Sequence, residues 1–414
     1  MDKTVCELFA GVGGFRVGLN DVKINNDKLE ESSTWDFVFA NQWEPATTTQ
    51  PAFDCYEKRF GNSVAHSNED IAKAINKVPK HNLLVGGFPC QDYSVARSLS
   101  KEKGIEGKKG ILWWEINKIL KNNRPPFVLL ENVDRLLKSP STQRGRDFAI
   151  MLKSFDKLDY AVEWRVINAA EYGLPQKRKR VFIFASHKST NYNKTINNDS
   201  KSWINKDGFF AKTFKVENDY KSKHGDTVGN IKKDDLITIS NNYIQLFRNS
   251  GIMKNGEIYS IETKSVESSE SITLGDILED SVKENSFYLN NKEIEKYKYL
   301  KGAKKIERAK PNGVIYYYSE GAMSFPDSLD KPGRTMLTSE ATTNRSTHVV
   351  KDKCTGRLRK ITPIEAERLN CFPDNWTNTG MTTRQRYFMM GNALVTGIIK
   401  ILGKELEKIF NEED

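Results

Sequence analysis

The stretch LLVGGFPCQDYS, Leu83 to Ser94, constrains this chain more than any other. An apolar run of strand length ends in two glycines, and a Pro-Cys follows where the chain must turn. That arrangement puts Cys90 at the carboxyl end of a buried strand, where open α/β sheets place their ligands. A thiol there serves as a nucleophile if its neighbours favour the thiolate. A small buried cysteine that only packs is the competing reading, and this stretch alone does not separate the two.

Other strand ends carry polar chemistry of the same kind. TVCELF (4–9) reads as a strand, and Ala10-Gly11-Val12-Gly13-Gly14 as a tight turn into a helix. Glycines at such a turn let backbone approach a ligand, and the helix start offers free N–H groups. DFVFA (36–40) reads as a second strand, leading to Gln42, Trp43 and Glu44, a set able to meet a ribose and an adenine face. Trp43 is as readily an ordinary core aromatic. Asp70, ahead of Ile71, either accepts from an adenine amino group or caps the helix behind it. The strand at 125–130 delivers Glu131-Asn132-Val133, and Gln176-Lys177-Arg178-Lys179-Arg180 runs into the strand at 181–185. Between them, 95–110 is rich in Lys, Gly and Ser and is expected to be a lid beside the reactive residue. A glycine turn, a cysteine and a carboxylate at equivalent strand ends make one polar rim, and hence a site.

From 187 to about 271 the composition shifts to Lys, Asn, Ser and Asp, and no regular structure is assigned there. Aromatic, hydroxyl and basic residues return at 316–348, including Arg334, Thr335, Leu337, Thr338 and Arg345. With 64 Lys+Arg against 54 Asp+Glu, a formal net charge of +10, this favours a polyanionic partner. Further on, Thr362-Pro363-Ile364-Glu365 reads as a capped helix start, and Gly391-Asn392 as a turn before an amphipathic helix from 396 to 410. Five scattered cysteines with no C-x-x-C spacing argue against a disulfide framework or zinc site. With no signal-like N-terminus and no membrane-length apolar run, a cytoplasmic, nucleoid-associated protein without a membrane partner is expected.

These residues, in this order, resemble the bacterial DNA (cytosine-5)-methyltransferases of restriction–modification systems. Phe9-Ala10-Gly11-Val12-Gly13-Gly14 is similar to the family's cofactor turn, Gly87-Phe88-Pro89-Cys90-Gln91 to its nucleophile loop, and Glu131-Asn132-Val133 and Gln176-x-Arg178-x-Arg180 to two further signatures. Residues 357–373 resemble the segment supporting the recognition lobe, and Gly391-Asn392 the last cofactor-side motif. There are two departures. Gln42 stands where the family has Glu, with Glu44 two residues on, so the ribose falls to one or the other. Ala393 stands where a Ser is frequent.

The resemblance implies an α/β fold: a Rossmann-like S-adenosylmethionine-dependent methyltransferase sheet with helices on both faces, plus a smaller, irregular, partly β recognition domain. It implies a catalytic and cofactor-binding domain at 1–186, target recognition at 187–350, a connecting segment at 351–384 and a return to the catalytic domain at 385–414. S-adenosylmethionine is the implied cofactor, without a metal. It would be held by Phe9, Ala10, Gly11, Gly13, Gly14, Gln42, Trp43, Glu44, Asp70, Ile71, Pro89, Asn392 and Ala393. Cys90, Glu131, Arg178 and Arg180 are the implied catalytic group, with Arg178 steadying the loop or Glu131. Double-stranded DNA would be touched by Gln91, Ser94, Lys108, Lys109, Arg334, Thr335, Leu337, Thr338 and Arg345. A monomer is expected, with a restriction endonuclease acting on the same site as a possible counterpart. An RNA cytosine-5 methyltransferase and a catalytically inactive DNA-binding protein are the alternatives.

Overall fold

The computed structural model describes residues 1–25, 28–45, 47–88, 112–218, 220–310 and 312–413. Ten strands form the main sheet: β1 (Thr4–Leu8), β2 (Asp36–Asn41), β3 (His66–Ser67), β4 (Leu83–Gly87), β5 (Phe127–Val133), β6 (Tyr160–Asn168), β7 (Lys179–His187), β8 (Thr227–Asn230), β9 (Ser250–Lys254) and β10 (Glu257–Ile261). Their spatial order is β8-β10-β9-β6-β7-β5-β4-β1-β2-β3. β1 to β5 pair in parallel, whereas β7 runs antiparallel to both β5 and β6. The chain goes outward from β1 through β2 and β3, then returns to place β4 on the other side of β1. That reversal makes the carboxyl ends of β1 and β4 the switch point where a ligand crevice opens.

Helices cover both faces. Leu112–Asn123 (α2) and Arg146–Asp156 (α3) bury Trp113, Ile116, Leu120, Phe148 and Phe155 against one face. Gly14–Leu19 (α1) and Thr396–Asn411 (α5) bury Phe15, Leu19, Ile398, Leu402 and Phe410 against the other. The α1–α5 contact is tight: a Cβ on Gly18 would lie 2.4 Å from Ile399 Cβ. The C-terminal helix thus completes the layer that the first helix begins.

The region assigned no regular structure does form elements. Residues 227–261 add three antiparallel strands to the sheet, and Tyr192, Trp203, Phe209, Phe210 and Phe214 pack on it. Five aromatic residues spread over a Lys- and Asn-rich stretch show no period, which hides them from pattern reading. The sheet therefore runs past residue 186, where the catalytic domain was expected to end. Beyond 261 the smaller elements are the helix Asn291–Lys301, a two-stranded ribbon of Lys304–Ala309 and Ile315–Glu320, and the pair Val349–Lys351 with Leu358–Lys360.

The helix Pro363–Leu369 starts as its sequence indicated, with Thr362 and Glu365 forming a capping box. Gly391 and Asn392 differ from expectation. They are the last residues of the helix Thr383–Asn392 (α4), not a turn, and Ala393 is its C-cap. The capping box at Thr382 and Gln385 starts that helix one turn before the aromatic run, and nothing interrupts it until Ala393.

Candidate active site

The turn after β1 has three residues in the left-handed region: Phe9 (φ 55), Gly11 (φ 56) and Gly13 (φ 88). Glycine adopts that region freely; for Phe9 it stores strain of the kind concentrated at functional sites. Gln42, at the end of β2, accepts a 2.8 Å hydrogen bond from Gly11 N through Oε1, which ties the two strand ends together. Among the described residues, a Cβ on Gly11 would meet nothing within 4 Å. Trp43 holds its ring 40% exposed beyond β2. Open glycine backbone and an exposed indole on neighbouring strand ends suit a nucleoside-bearing cofactor.

Gln42 accepts from Gly11 through one lone pair of its oxygen and keeps its amino group as a donor. Glu44 accepts weakly from Ala52 N at 3.4 Å and is raised above the usual carboxylate range by burial. Asp70 caps its helix, accepting from Ala72 N at 3.0 Å. Asn392 is exposed and Ala393 half-buried at the end of α4.

Beneath the turn lies a residue that the sequence reading passed over. Glu7 is fully buried in β1 and accepts from Phe15 N at 3.3 Å and Tyr56 Oη at 3.0 Å. Burial pushes its carboxyl up to about 7, against the lowering pull of Tyr56 and Arg16. An acid inside the apolar run TVCELF was the available signal.

On the other side of the switch point, β4 and β5 pair so that Gly87 faces Glu131. Glu131 forms an ion pair with Arg180, Oε1 to Nε 3.0 Å, with both side chains mostly covered. Burial raises the carboxyl, while the charges of Arg180 and then Arg178 lower it; the balance is upward. Arg180 stands at the start of β7, opposite Val133. Because β7 runs backward, its first residues share a rim with the last residues of the parallel strands. The buried Asn132 donates to Phe88 O at 2.9 Å, holding the residue that leads into Pro89. Pro89, Cys90, Gln91, Ser94, Lys108 and Lys109, with the expected lid 95–110, lie outside the described residues.

Of Gln176, Arg178 and Arg180, only Arg180 lies in β7; ahead of it the chain turns tightly, with Arg178 N donating to Gln176 O at 2.9 Å. The first two are buried and bind other segments. Gln176 donates to Leu369 O (3.1 Å) and Asn370 Oδ1 (3.0 Å), and accepts from Met336 N (3.0 Å). Arg178 donates to Met336 O (3.0 Å) and Gly391 O (2.9 Å), and burial, then the nearby Arg180, pushes it down to about 9. Its hydrogen bonds thus go to two distant backbone carbonyls, while only its charge acts on Glu131.

The residues expected to touch DNA divide in a similar way. Arg334 pairs with the buried Asp327 (2.7 Å) and donates to Ser346 O and Thr347 O. Arg345 is bound to Glu320 and Gly321 O. Both arginines are therefore occupied within the chain. Thr335 donates to Lys177 O, whereas Leu337 and Thr338 are exposed against α4, where a Cβ on Gly391 would lie 2.4 Å from Thr338 N.

Residues 3–408 match the family described as C-5 cytosine-specific DNA methylase. The chain belongs to that family. This methylase is 52% identical over 409 residues to the type II methyltransferase M.Sau3AI of Staphylococcus aureus, covering 98% of this chain and 95% of that protein. M.HhaI of Haemophilus parahaemolyticus is 32% identical over 186 residues, 45% of this chain and 49% of that one. Among solved structures, Entamoeba histolytica methyltransferase EhMeth superposes with a TM-score of 0.56 at 17% identity, covering 100% and 99% of the two chains. S. pombe Dnmt2 gives 0.56 at 15% identity over 99% of each chain. At those identities the likeness is one of fold.

The methylase is a DNA cytosine-5-methyltransferase by family, and family and fold imply S-adenosylmethionine as methyl donor. Among the described residues, no group of three or more His, Cys, Asp or Glu side chains is placed to hold a metal ion. None of its described helices is long and apolar enough to cross a membrane.

Proposed function

We propose that this chain methylates carbon 5 of a flipped-out cytosine at a specific sequence in double-stranded DNA, through a covalent adduct with Cys90. Carbon 5 is a poor nucleophile until the ring is made electron-rich. Addition of the Cys90 thiolate at carbon 6 does this, and negative charge then builds on the ring toward N3. Glu131 is the group that answers that charge: burial favours its protonated form, against the charges of Arg180 and Arg178. Arg180, ion-paired to it, orients the carboxyl and extends toward the ring's O2. S-adenosylmethionine, when bound over the glycine turn, supplies the methyl group as an electrophile. Loss of the carbon-5 proton and expulsion of the Cys90 sulfur restore the aromatic base. In a duplex the ring is reached only by flipping, at a cost of roughly a few kcal/mol.

The observation that carries this reading is the rim itself. A raised carboxyl paired to an arginine stands directly beside the strand that leads into Phe88-Pro89-Cys90. The likeness to M.Sau3AI supports a protective role in restriction–modification, with an endonuclease acting on the same site without stable association. Incubation with methyl-labelled cofactor and duplex DNA, followed by mapping of 5-methylcytosine, tests it. Cys90→Ala is expected to abolish transfer while leaving cofactor and DNA binding largely intact. Absence of label in any DNA, with cofactor bound, refutes the reading; a fully active Cys90→Ala enzyme refutes the nucleophile.

A further inference from the structure

We propose that the ribbon of Lys304–Ala309 and Ile315–Glu320 enters the major groove of duplex DNA and sets part of the sequence preference, with Arg308, Tyr316 and Tyr318 as its contact face. This rests on the reading above that duplex DNA is the substrate.

Among the described residues the two strands pair only with each other, and all but their outermost residues are exposed. A lone hairpin is marginal in water. Yet this one leaves Tyr316, Tyr317, Tyr318, Ile306 and Ile315 between 37% and 59% exposed. An aromatic and aliphatic patch of that kind marks an interaction site.

Register assigns the faces. Directly opposed residues share a side, so Ile306 with Tyr318 and Arg308 with Tyr316 lie on one face; Lys305 with Ser319 and Glu307 with Tyr317 lie on the other. Arg308 stacks over the Tyr318 ring at 4.2 Å, and Lys305 over Tyr317 at 4.6 Å. Neither cation is in an ion pair among the described residues. The ribbon's two acids are engaged: Glu307 accepts from Tyr317 Oη at 3.1 Å, and Glu320 is bound by Arg345 and, at 3.8 Å, Lys304. What the first face offers beyond its base is therefore cationic and aromatic. Like charges oppose a second copy of this chain, whereas a polyanion is complementary. A two-stranded ribbon fits the major groove, where arginine and aromatic side chains reach base edges.

The base of the ribbon is fixed relative to the candidate active site. Met323 N donates to Lys301 O (2.8 Å), and Lys301 and Arg334 both pair with the buried Asp327 (2.9 and 2.7 Å). Arg334 leads directly to Thr335 and Met336, which bond to 176–178, just before Arg180. The arginines expected to touch DNA thus brace the element that carries Arg308.

The test compares the wild-type protein with Arg308→Ala/Tyr318→Ala, two exposed positions remote from the core, using anisotropy of labelled duplex DNA from the mapped target and steady-state methyl transfer. Cofactor binding serves as the folding control. The double variant is expected to weaken duplex binding roughly tenfold or more. It should raise the DNA KM to match, leave kcat at saturating DNA within about twofold, and relax the preference at one or more positions of the mapped site. Unchanged duplex affinity and unchanged site preference overturn the proposal. So does a wild-type oligomer that the variant dissociates while DNA binding stays constant, or a preference for RNA of the same sequence. Anisotropy needs no chemistry, so a wild type that binds duplex through the ribbon but transfers no methyl refutes the proposed function and not the ribbon.

Discussion

Replacing Arg178 separates its role as a brace from any role in chemistry. Its guanidinium spans two carbonyls that belong to different segments, Met336 O and Gly391 O, with no water-facing surface to spare. Gly391 O lies in the last turn of α4, where carbonyls lack intrahelical partners, so Arg178 closes that helix end. Lysine retains the charge but presents a point donor that reaches one of the two carbonyls. Arg178→Lys keeps the cost of a buried cation, loses one charge-assisted bond worth about 1.5–3 kcal/mol, and leaves one carbonyl unpaired at about 1–3 kcal/mol. Arg178→Met forfeits both bonds and leaves both carbonyls unpaired, about 5–12 kcal/mol by the same values, from which the removed desolvation cost, several kcal/mol per buried ion, is subtracted. Urea unfolding should therefore give both variants a lower midpoint than wild type. Both variants should raise the DNA KM more than they lower kcat, because the strip 333–338 loses its anchor to the sheet. A lysine variant as stable as wild type, or a kcat loss with DNA KM unchanged, would refute the reasoning.

Two further outcomes follow from the site. Asn132→Ala removes the bond to Phe88 O, which holds the residue leading into Pro89-Cys90; kcat should fall roughly 10–100-fold with cofactor KM unchanged, as for a residue that positions another. Glu7 has a folded pKa near 7, above its unfolded value of about 4.5. Protons are then bound more tightly in the native state, so its contribution to stability is fully present below the unfolded value and is lost as pH rises through 7. Glu7→Gln should flatten the decline in thermal midpoint across pH 5–7; an unaltered slope assigns that decline elsewhere.

Local chemistry made the main elements readable. A strand that ends in Gly-Gly, a capped helix at Thr362 and Pro363, and glycines at a turn each state their conformation within a few residues. On that basis the strands at 4–9, 36–40, 125–130 and 181–185 and the rim with Glu131 were legible, while helices on both faces were implied by the resemblance. Residues 187–261 were not, because their aromatic anchors are irregularly spaced and their strands lie at the edge of a sheet begun elsewhere.

Sequence by itself determined which chemical groups this protein owns and which family it belongs to, since residue type and order along the chain carry both. Only the tertiary structure decided what each group is free to do. Arg178, Arg334 and Arg345 look like ligand contacts in the one-dimensional chain, yet each is occupied within the fold, Arg178 by carbonyls more than 150 residues away, Arg345 by partners 24 and 25 residues away, and Arg334 by partners 7 to 13 residues away. Arg308, three residues into an unremarkable basic run, is left outward instead. Hydrogen-bonding capacity is finite, and which partner consumes it is set by long-range packing that no local pattern encodes.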